Sequence, residues 1–267
     1  MLLDSLQPGT VVWDIQFVTM SPVNDGWELS FKDGTSAMAD IVVGADGANS
    51  KIRPFITPIQ PFYCGVTAVE GNVYDAENAT PRINELLRGG KIFAFADSKN
   101  LIVSSKGDGS LPFYLSCKKD ENWMADSGIN FADTMQVTSW FRKEFSGWDD
   151  IWLELFLNAQ APFIPRPIYS MPLDQSWDAL PNMTILGDAA HLMPPYAGEG
   201  VNMAMLDALE LSECLFNNEF PDVQSAIAAY ELQMLKRASE ATRASLENTE
   251  WMHAEQALNN MLAMFGQ

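Results

Sequence analysis

Alternation between apolar and polar positions dominates the first fifty residues. Residues 11–19 (VVWDIQFVT) are rich in β-formers, Asn24-Asp25-Gly26 supplies turn residues, 27–31 (WELSF) alternates again, and Asp33-Gly34 marks a second hairpin turn. Residues 37–43 (AMADIVV) follow and end in Gly44. The pattern predicts three strands in an antiparallel meander. Its closing run, Ile41-Val42-Val43, is continuously apolar, as in a strand entering a buried parallel sheet. Further strands are predicted at 65–74, 91–97, 100–105 and 111–117, punctuated by Gly89-Gly90, Ser98-Lys99-Asn100 and Lys106-Gly107-Asp108-Gly109.

The periodicity then changes. Residues 132–145 read as a helix, with Phe131, Met135, Val137, Trp140, Phe141 and Phe145 at apolar positions, and a second helix covers 149–158. Pro162, Pro165, Pro167 and Pro172 forbid a helix and predict an extended crossing segment. Met183-Thr184-Ile185-Leu186 predicts a short buried strand, followed by a glycine-rich turn and a helix from about 200 to 216. Asp222 is placed to cap a last helical stretch running to about 264, near Gly266. The opening LLDSL reads as a helix end, and no internal repeat or low-complexity tract is evident.

Composition narrows the function classes. With 267 residues and 47% hydrophobic content the chain can bury a sizeable core, in one large domain or two moderate ones. A formal charge of −19 and no basic stripe argue against a nucleic-acid partner and against anionic membrane surfaces. Cys64, Cys117 and Cys214 form no CxxC pair, and His191 and His253 are the only histidines, so neither a disulfide framework nor a zinc site is expected. The N-terminus lacks a basic signal-peptide region, and no apolar run approaches the ~18 to 20 residues that span a bilayer. The expectation is a cytoplasmic chain with no membrane span, no metal and reduced cysteines.

Two segments carry chemistry. Gly44-Ala45-Asp46-Gly47-Ala48-Asn49-Ser50-Lys51-Ile52-Arg53 directly follows a strand. A strand ending in glycines puts free N–H groups and a carboxylate at the carboxyl edge of a sheet, where α/β folds bind ligands. Asp46 is suited to accept from a ribose or ribityl hydroxyl, and Ser50 to cap a helix that Lys51 begins; an ordinary strand-turn-helix connection reads equally well. The second segment, GDAAHLMPPYAGEGVN at 187–202, is longer and more specific. A buried strand delivers Gly187-Asp188 to a sheet edge, Pro194-Pro195 fix an extended stretch, and Gly198 and Gly200 let backbone approach a flat ligand. A helix starting near Gly200 aims unpaired amides and its positive end outward, which suits the negative charge of a reduced flavin ring.

In this order the two segments resemble the DG motif (44–53) and GD motif (187–202) of the group A FAD-dependent monooxygenases of the aromatic hydroxylase type. The run GDAAHLMPPYAGEGVN is especially similar to the tetracycline-inactivating (TetX-type) monooxygenases, and the similarity extends through WDIQF, KEFSGWD and the long C-terminal helix. The resemblance implies an α/β fold. An incomplete FAD-binding domain (Rossmann-like, glutathione-reductase-type) takes in 1–60 and 167–216. An antiparallel-sheet substrate domain takes in 61–166, and a C-terminal helical segment 217–267. It implies Asp188 as a ribityl or ribose contact, Gly198, Gly200, Val201 and Asn202 against the flavin ring, and Gly187 and Pro195 among the cofactor-binding residues. It associates Asp46, Gly47 and Arg53 with FAD and NAD(P)H. The implied reaction reduces FAD with NAD(P)H, captures O2 as a C4a-hydroperoxide and oxygenates a phenolic or polycyclic small molecule, tetracycline-like as the first guess. The family carries no assigned catalytic side chain into this sequence.

The departures matter. None of the 17 glycines forms GxGxxG, the phosphate-binding signature with which family members open. Roughly the first hundred residues of such a member, a βαβ unit and a linking stretch, have no counterpart here. A non-catalytic fragment, or one half of a split protein needing a complementing N-terminal chain, is therefore the second expectation, and a flavin reductase without oxygen insertion the third. Glu199 departs from the neutral residue common in the family and would oppose an anionic flavin unless turned to solvent. His191 is expected to hold the turn before Pro194 rather than act as a base. His253 is a surface or packing residue of the last helix, and Tyr196 borders the ligand or packs. Glu70, Lys91 and Tyr114 are polar candidates on a substrate-facing wall of strands, each also readable as an ordinary solvent-facing alternate. The many phenylalanines and tryptophans are expected to be core.

Overall fold

A computed structural model of the chain describes residues 3–266. Its strands are β1 (Phe17–Val23), β2 (Gly26–Phe31), β3 (Ser36–Ala39), β4 (Val42–Gly44), β5 (Phe62–Val73), β6 (Lys91–Ala96), β7 (Lys99–Ser104), β8 (Leu111–Lys118), β9 (Ile164–Ser170) and β10 (Met183–Ile185). Its helices are α1 (Ala76–Ala79), α2 (Pro81–Leu87), α3 (Trp123–Asp126), α4 (Thr134–Glu144), α5 (Leu153–Asn158), α6 (Asp188–His191), α7 (Gly200–Phe216), α8 (Val223–Met252) and α9 (Ala257–Met264). The chain divides into two compact units. The first takes in residues up to Gln60, Met171–Met193 and Gly198–Thr242; the second takes in Pro61–Ser170, Pro194–Ala197 and the residues from Arg243 on. The division falls inside α8. Among the described residues no helix is long and apolar enough to cross a membrane.

In the first unit β1, β2 and β3 form the expected antiparallel meander. The first strand starts later than β-propensity suggests. Val12 and Trp13 are exposed, Asp14 takes a left-handed φ of 60°, and pairing begins only at Phe17 opposite Phe31. At the first hairpin only glycine fits position 26, because a Cβ there would stand 2.6 Å from the Ala39 carbonyl oxygen. The predicted strand 37–43 is two elements. Ala39 pairs antiparallel with Trp27, the chain changes sheets at Asp40-Ile41, and β4 then pairs parallel with β10. Leu186 N–H extends that ladder by donating to the Gly44 carbonyl at 3.0 Å. The core of this unit gathers Met20, Val42, Ile52, Met183 and Ile185 with Leu211 of α7 and Tyr230 and Met234 of α8.

The second unit is built on a five-stranded antiparallel sheet, order β6-β7-β8-β5-β9. One face buries Val69, Val73, Leu101, Val103, Leu111, Phe113 and Leu115 against α2, α4 and α5. Phe141 stacks on Phe156 at 4.3 Å, and Phe113 meets Phe156 edge-on at 5.3 Å, so these aromatics are core as expected. Helix α4 is capped by Asp133, whose carboxylate accepts from the Met135 and Gln136 amides while the Gln136 side chain reaches back to it. The proline-rich segment is extended as predicted, but it is an ordered outer strand, β9, paired with β5. Helices α1 and α2 occupy a stretch for which the pattern gave no helix.

The terminal helix is not continuous to 264. Asp222 caps its start by accepting from the Ser225 amide and hydroxyl, but α8 ends at Met252 and α9 begins at Ala257. His253 sits in the break and is fully buried, so of the two readings, surface or packing, it is packing. Its Nδ1 donates to the Thr249 carbonyl at 2.7 Å, leaving Nε2 to accept from the Asn100 amide at 3.1 Å, while the Ser116 hydroxyl, 2.9 Å from Nε2, donates to Asn100 Oδ1.

Candidate functional site

Parallel pairing of β4 and β10 puts their carboxyl ends side by side, with Gly44 opposite Ile185, so both glycine-aspartate segments leave the same sheet edge. Gly44 must be glycine here: a Cβ would meet Ile185 Cγ2 at 2.7 Å and Ile52 Cβ at 2.8 Å. In the first segment the Asp46 carboxylate accepts from Lys51 N at 2.7 Å and Ile52 N at 3.3 Å. Ser50 Oγ accepts from the Ile52 and Arg53 amides, as a cap should. What it caps is only a 3-10 turn, Arg53–Phe55. Arg53 is buried at 3% exposure and works inward. Its Nε donates to Ala189 O at 2.6 Å, and its Nη2 to Asp188 O at 2.9 Å and Ala48 O at 3.4 Å. Burial lowers its pKa, opposed by the Asp46 and Asp188 charges.

In the second segment Gly187 adopts φ 59°, ψ −144°, a region open essentially to glycine, and a Cβ would crowd Ala204 Cβ at 3.0 Å. Its amide donates at 2.9 Å to Asp207 Oδ2, from α7. The same oxygen lies 2.5 Å from His191 Nε2. Arg237 of α8 completes the group, with Nη2 2.7 Å from Asp207 Oδ1 and Nη1 2.5 Å from Glu210 Oε2. Burial alone would push the Asp207 carboxyl up, but His191, the Gly187 amide and Arg237 outweigh it and hold it below the ordinary carboxylate range. His191 thus braces the segment through α7. The Asp207, Glu210 and Arg237 set went unseen in the sequence; the signal was an acid four residues before buried Leu211, on the core side of α7.

The outward side of this edge is chemically unclaimed. Asp188 is exposed, and its carboxylate accepts no hydrogen bond within the described residues. It stands at the start of α7, its Oδ1 4.0 Å from where a Cβ of Gly200 would lie. No side chain caps α7, and the first intrahelical amide is Met203 N, bonded to Glu199 O at 2.9 Å. The amides of Gly200, Val201 and Asn202 are left as orphan donors at the positive helix end. Gly47 and Gly198, with φ of 79° and 72°, have no atom within 4 Å of a would-be Cβ. An unclaimed carboxylate for sugar hydroxyls, unclaimed amides for an anionic ring edge and open glycine backbone fit a flavin. Glu199 accepts from Asn202 Nδ2 at 3.4 Å, which turns its charge onto its own helix. Pro195 lies in a 3-10 turn, Pro195–Ala197, that groups with the second unit.

In the second unit Glu70 and Tyr114 are register partners, with Tyr114 Oη 3.5 Å from Glu70 Oε1, and Arg166 pairs with the same carboxylate. Burial raises the Tyr114 pKa, and Glu70 adds to it. Lys91 is apart, its ammonium 5.4 Å from the Phe93 ring centre. Tyr196 packs edge-on against His253 at 5.2 Å. Among the described residues no group of three His, Cys, Asp or Glu side chains is placed to hold a metal.

Comparisons with known proteins point the same way. Residues 181–245 match the family model of an FAD binding domain. A 3-amino-4-hydroxybenzoate 2-monooxygenase of Streptomyces platensis is 29% identical over 259 residues, covering 94% of this chain and 61% of that protein. The chain spans between 51% and 72% of the curated relatives it matches. The structure of 2,6-dihydroxypyridine-3-hydroxylase from Arthrobacter nicotinovorans superposes with a TM-score of 0.77 at 20% identity, covering 94% of this chain and 67% of that one. Tetracycline destructase Tet(51) superposes at 0.67 with 16% identity over 94% and 66%, a likeness of fold.

Proposed function

We propose that this chain forms the ring-binding part of an FAD-dependent, NAD(P)H-consuming monooxygenase. It would act on a phenolic or polycyclic small molecule, with a tetracycline-like compound as the first candidate. The observation that carries this reading is the unclaimed Asp188 carboxylate beside the uncapped start of α7, at the carboxyl edge of a parallel strand pair. The match of 181–245 to an FAD binding domain supports it. The tetracycline-like substrate rests on the run GDAAHLMPPYAGEGVN alone.

When bound, FAD supplies hydride acceptance and oxygen activation. The chain's part is placement and electrostatics. Asp188 accepts from ribityl or ribose hydroxyls. The amides of Gly200, Val201 and Asn202 stabilise negative charge at the ring edge without reorganising. Gly47 and Gly198 let backbone approach the ring face. Arg53 fixes the spacing of the two segments from behind rather than touching the cofactor, and Asp46 spends its carboxylate on the Lys51 and Ile52 amides.

The purified chain should be yellow, or should quench added FAD fluorescence. It should then consume NAD(P)H faster with a phenolic substrate and yield a product heavier by one oxygen atom. A colourless chain that leaves FAD fluorescence unchanged sinks the reading; NAD(P)H consumption without oxygen insertion leaves a reductase.

A second reading is a half needing a complementing chain. Val201, Met205 and Leu209 line one side of α7 at 73%, 64% and 54% exposure, and no GxGxxG cradle is present in the sequence. A polypeptide carrying that cradle should then bind the chain, cover this stripe and raise its FAD affinity; an affinity unchanged by the addition overturns this reading.

A further inference from the structure

The geometry points to Asp207 as the positioning residue that sets where Asp188 stands relative to the first turn of α7. This rests on the flavin-site reading above and names a residue outside both glycine-rich segments.

Asp207 lies about two turns into α7 and is fully buried. One of its oxygens receives both the Gly187 amide and the His191 ring, the residues that bracket α6. A single carboxylate therefore clamps the peptide just before Asp188 and the side chain three residues after it. Because Asp207 belongs to the helix whose first amides face outward, the clamp fixes Asp188 against Gly200, Val201 and Asn202. Gly187 sits in a backbone region that other residues avoid, so the turn needs an outside hold to stay populated.

The hold is itself held. Arg237 arrives from α8 with one nitrogen on Asp207 and the other on Glu210. A buried carboxylate facing one imidazole and one amide would be costly; the guanidinium fork supplies the counter-charge and fixes which oxygen faces Gly187. With Asn at 207 the packing volume stays, but the acceptor that takes both Gly187 and His191 becomes a neutral oxygen, and an amide group is turned toward Arg237.

The test compares the full chain with Asp207→Asn and, as a milder second variant, Arg237→Gln. Three readouts are taken: hydrogen exchange resolved over residues 183–204, FAD affinity by fluorescence quenching, and the visible absorption bands of bound flavin. Loss of protection confined to 186–192, a roughly tenfold weaker FAD affinity and a shifted flavin band are expected in Asp207→Asn, with a smaller change of the same kind in Arg237→Gln. Unchanged exchange at 186–192 in both variants overturns the inference. So does a uniform loss of protection across the first unit, which marks Asp207 as a general stability residue. If the unmodified chain binds no FAD, the flavin reading fails while the exchange comparison still decides the role of Asp207.

Discussion

Arg53 Nε lies 2.6 Å from the Ala189 carbonyl oxygen, so one buried guanidinium ties the turn after β4 to the turn after β10. Its second nitrogen serves Asp188 O and Ala48 O. Replacing Arg53 with Met leaves these carbonyls without their donor and should destabilise the first unit by about 3 kcal/mol, read from urea unfolding. Arg53→Lys should recover only part of this, since an ammonium lacks the fork. Unfolding midpoints equal to the parent's would remove Arg53 from its proposed role.

Asp188 separates binding from stability. Its carboxylate is exposed and accepts no hydrogen bond within the described residues, so Asp188→Ala should change unfolding free energy by less than about 0.5 kcal/mol. FAD affinity should fall at least ~10-fold as sugar hydroxyls lose their acceptor. Equal FAD titrations for the two proteins would contradict the assignment.

His253 predicts an acid-sensitive second unit. Burial lowers its pKa, opposed by the bond to Thr249 O, with Lys118 adding to the depression. The unfolded chain therefore binds a proton before the folded one does. The contribution is fully present above the unfolded value near 6.5 and is lost as pH falls through the lower folded value. Melting temperature should drop as pH goes from about 7 toward 5, and His253→Gln should flatten that slope. An unaltered slope in the variant counts against it.

Phe156 carries much of the second core, touching Phe113, Phe141 and Phe163. Phe156→Ala should cost about 3–5 kcal/mol by transfer loss plus cavity. Gly71→Ala fails for the opposite reason: its Cβ would lie 2.3 Å from Phe113 Cζ. Overpacking of that kind costs about 1–3 kcal/mol, and calorimetry on the two variants checks both figures.

What the sequence revealed and what it hid divide along physical lines. Hairpins at Asn24-Asp25-Gly26 and Asp33-Gly34, the Asp222 cap and the start of α7 are local, written in residues a few positions apart. Both glycine-aspartate segments were legible because their residues follow one another directly in the chain, although the contacts that require glycine at 44 and crowd position 187 come from Ile185 and Ala204. Elements set by distant partners were not. Val11 to Asp14 carry β-formers, yet among the described residues no strand pairs with them. The helix stops at Met252, and the next residue, His253, is buried beside Asn100 and Ser116, more than a hundred residues away in the chain. Asp207 and Arg237 sit thirty positions apart on separate helices, and nothing in either helix alone marks them as a pair.

The prolines of β9 have an effect beyond chain direction. As the outermost strand beside β5, it exposes one row of backbone groups. Pro165 and Pro167 are tolerated there because their nitrogens face away from β5, which strips that row of two donors. A foreign strand seeking to extend the sheet finds no hydrogen to accept at alternate positions. The rim of this sheet is thereby guarded against self-templated fibre growth by two ring-closed residues.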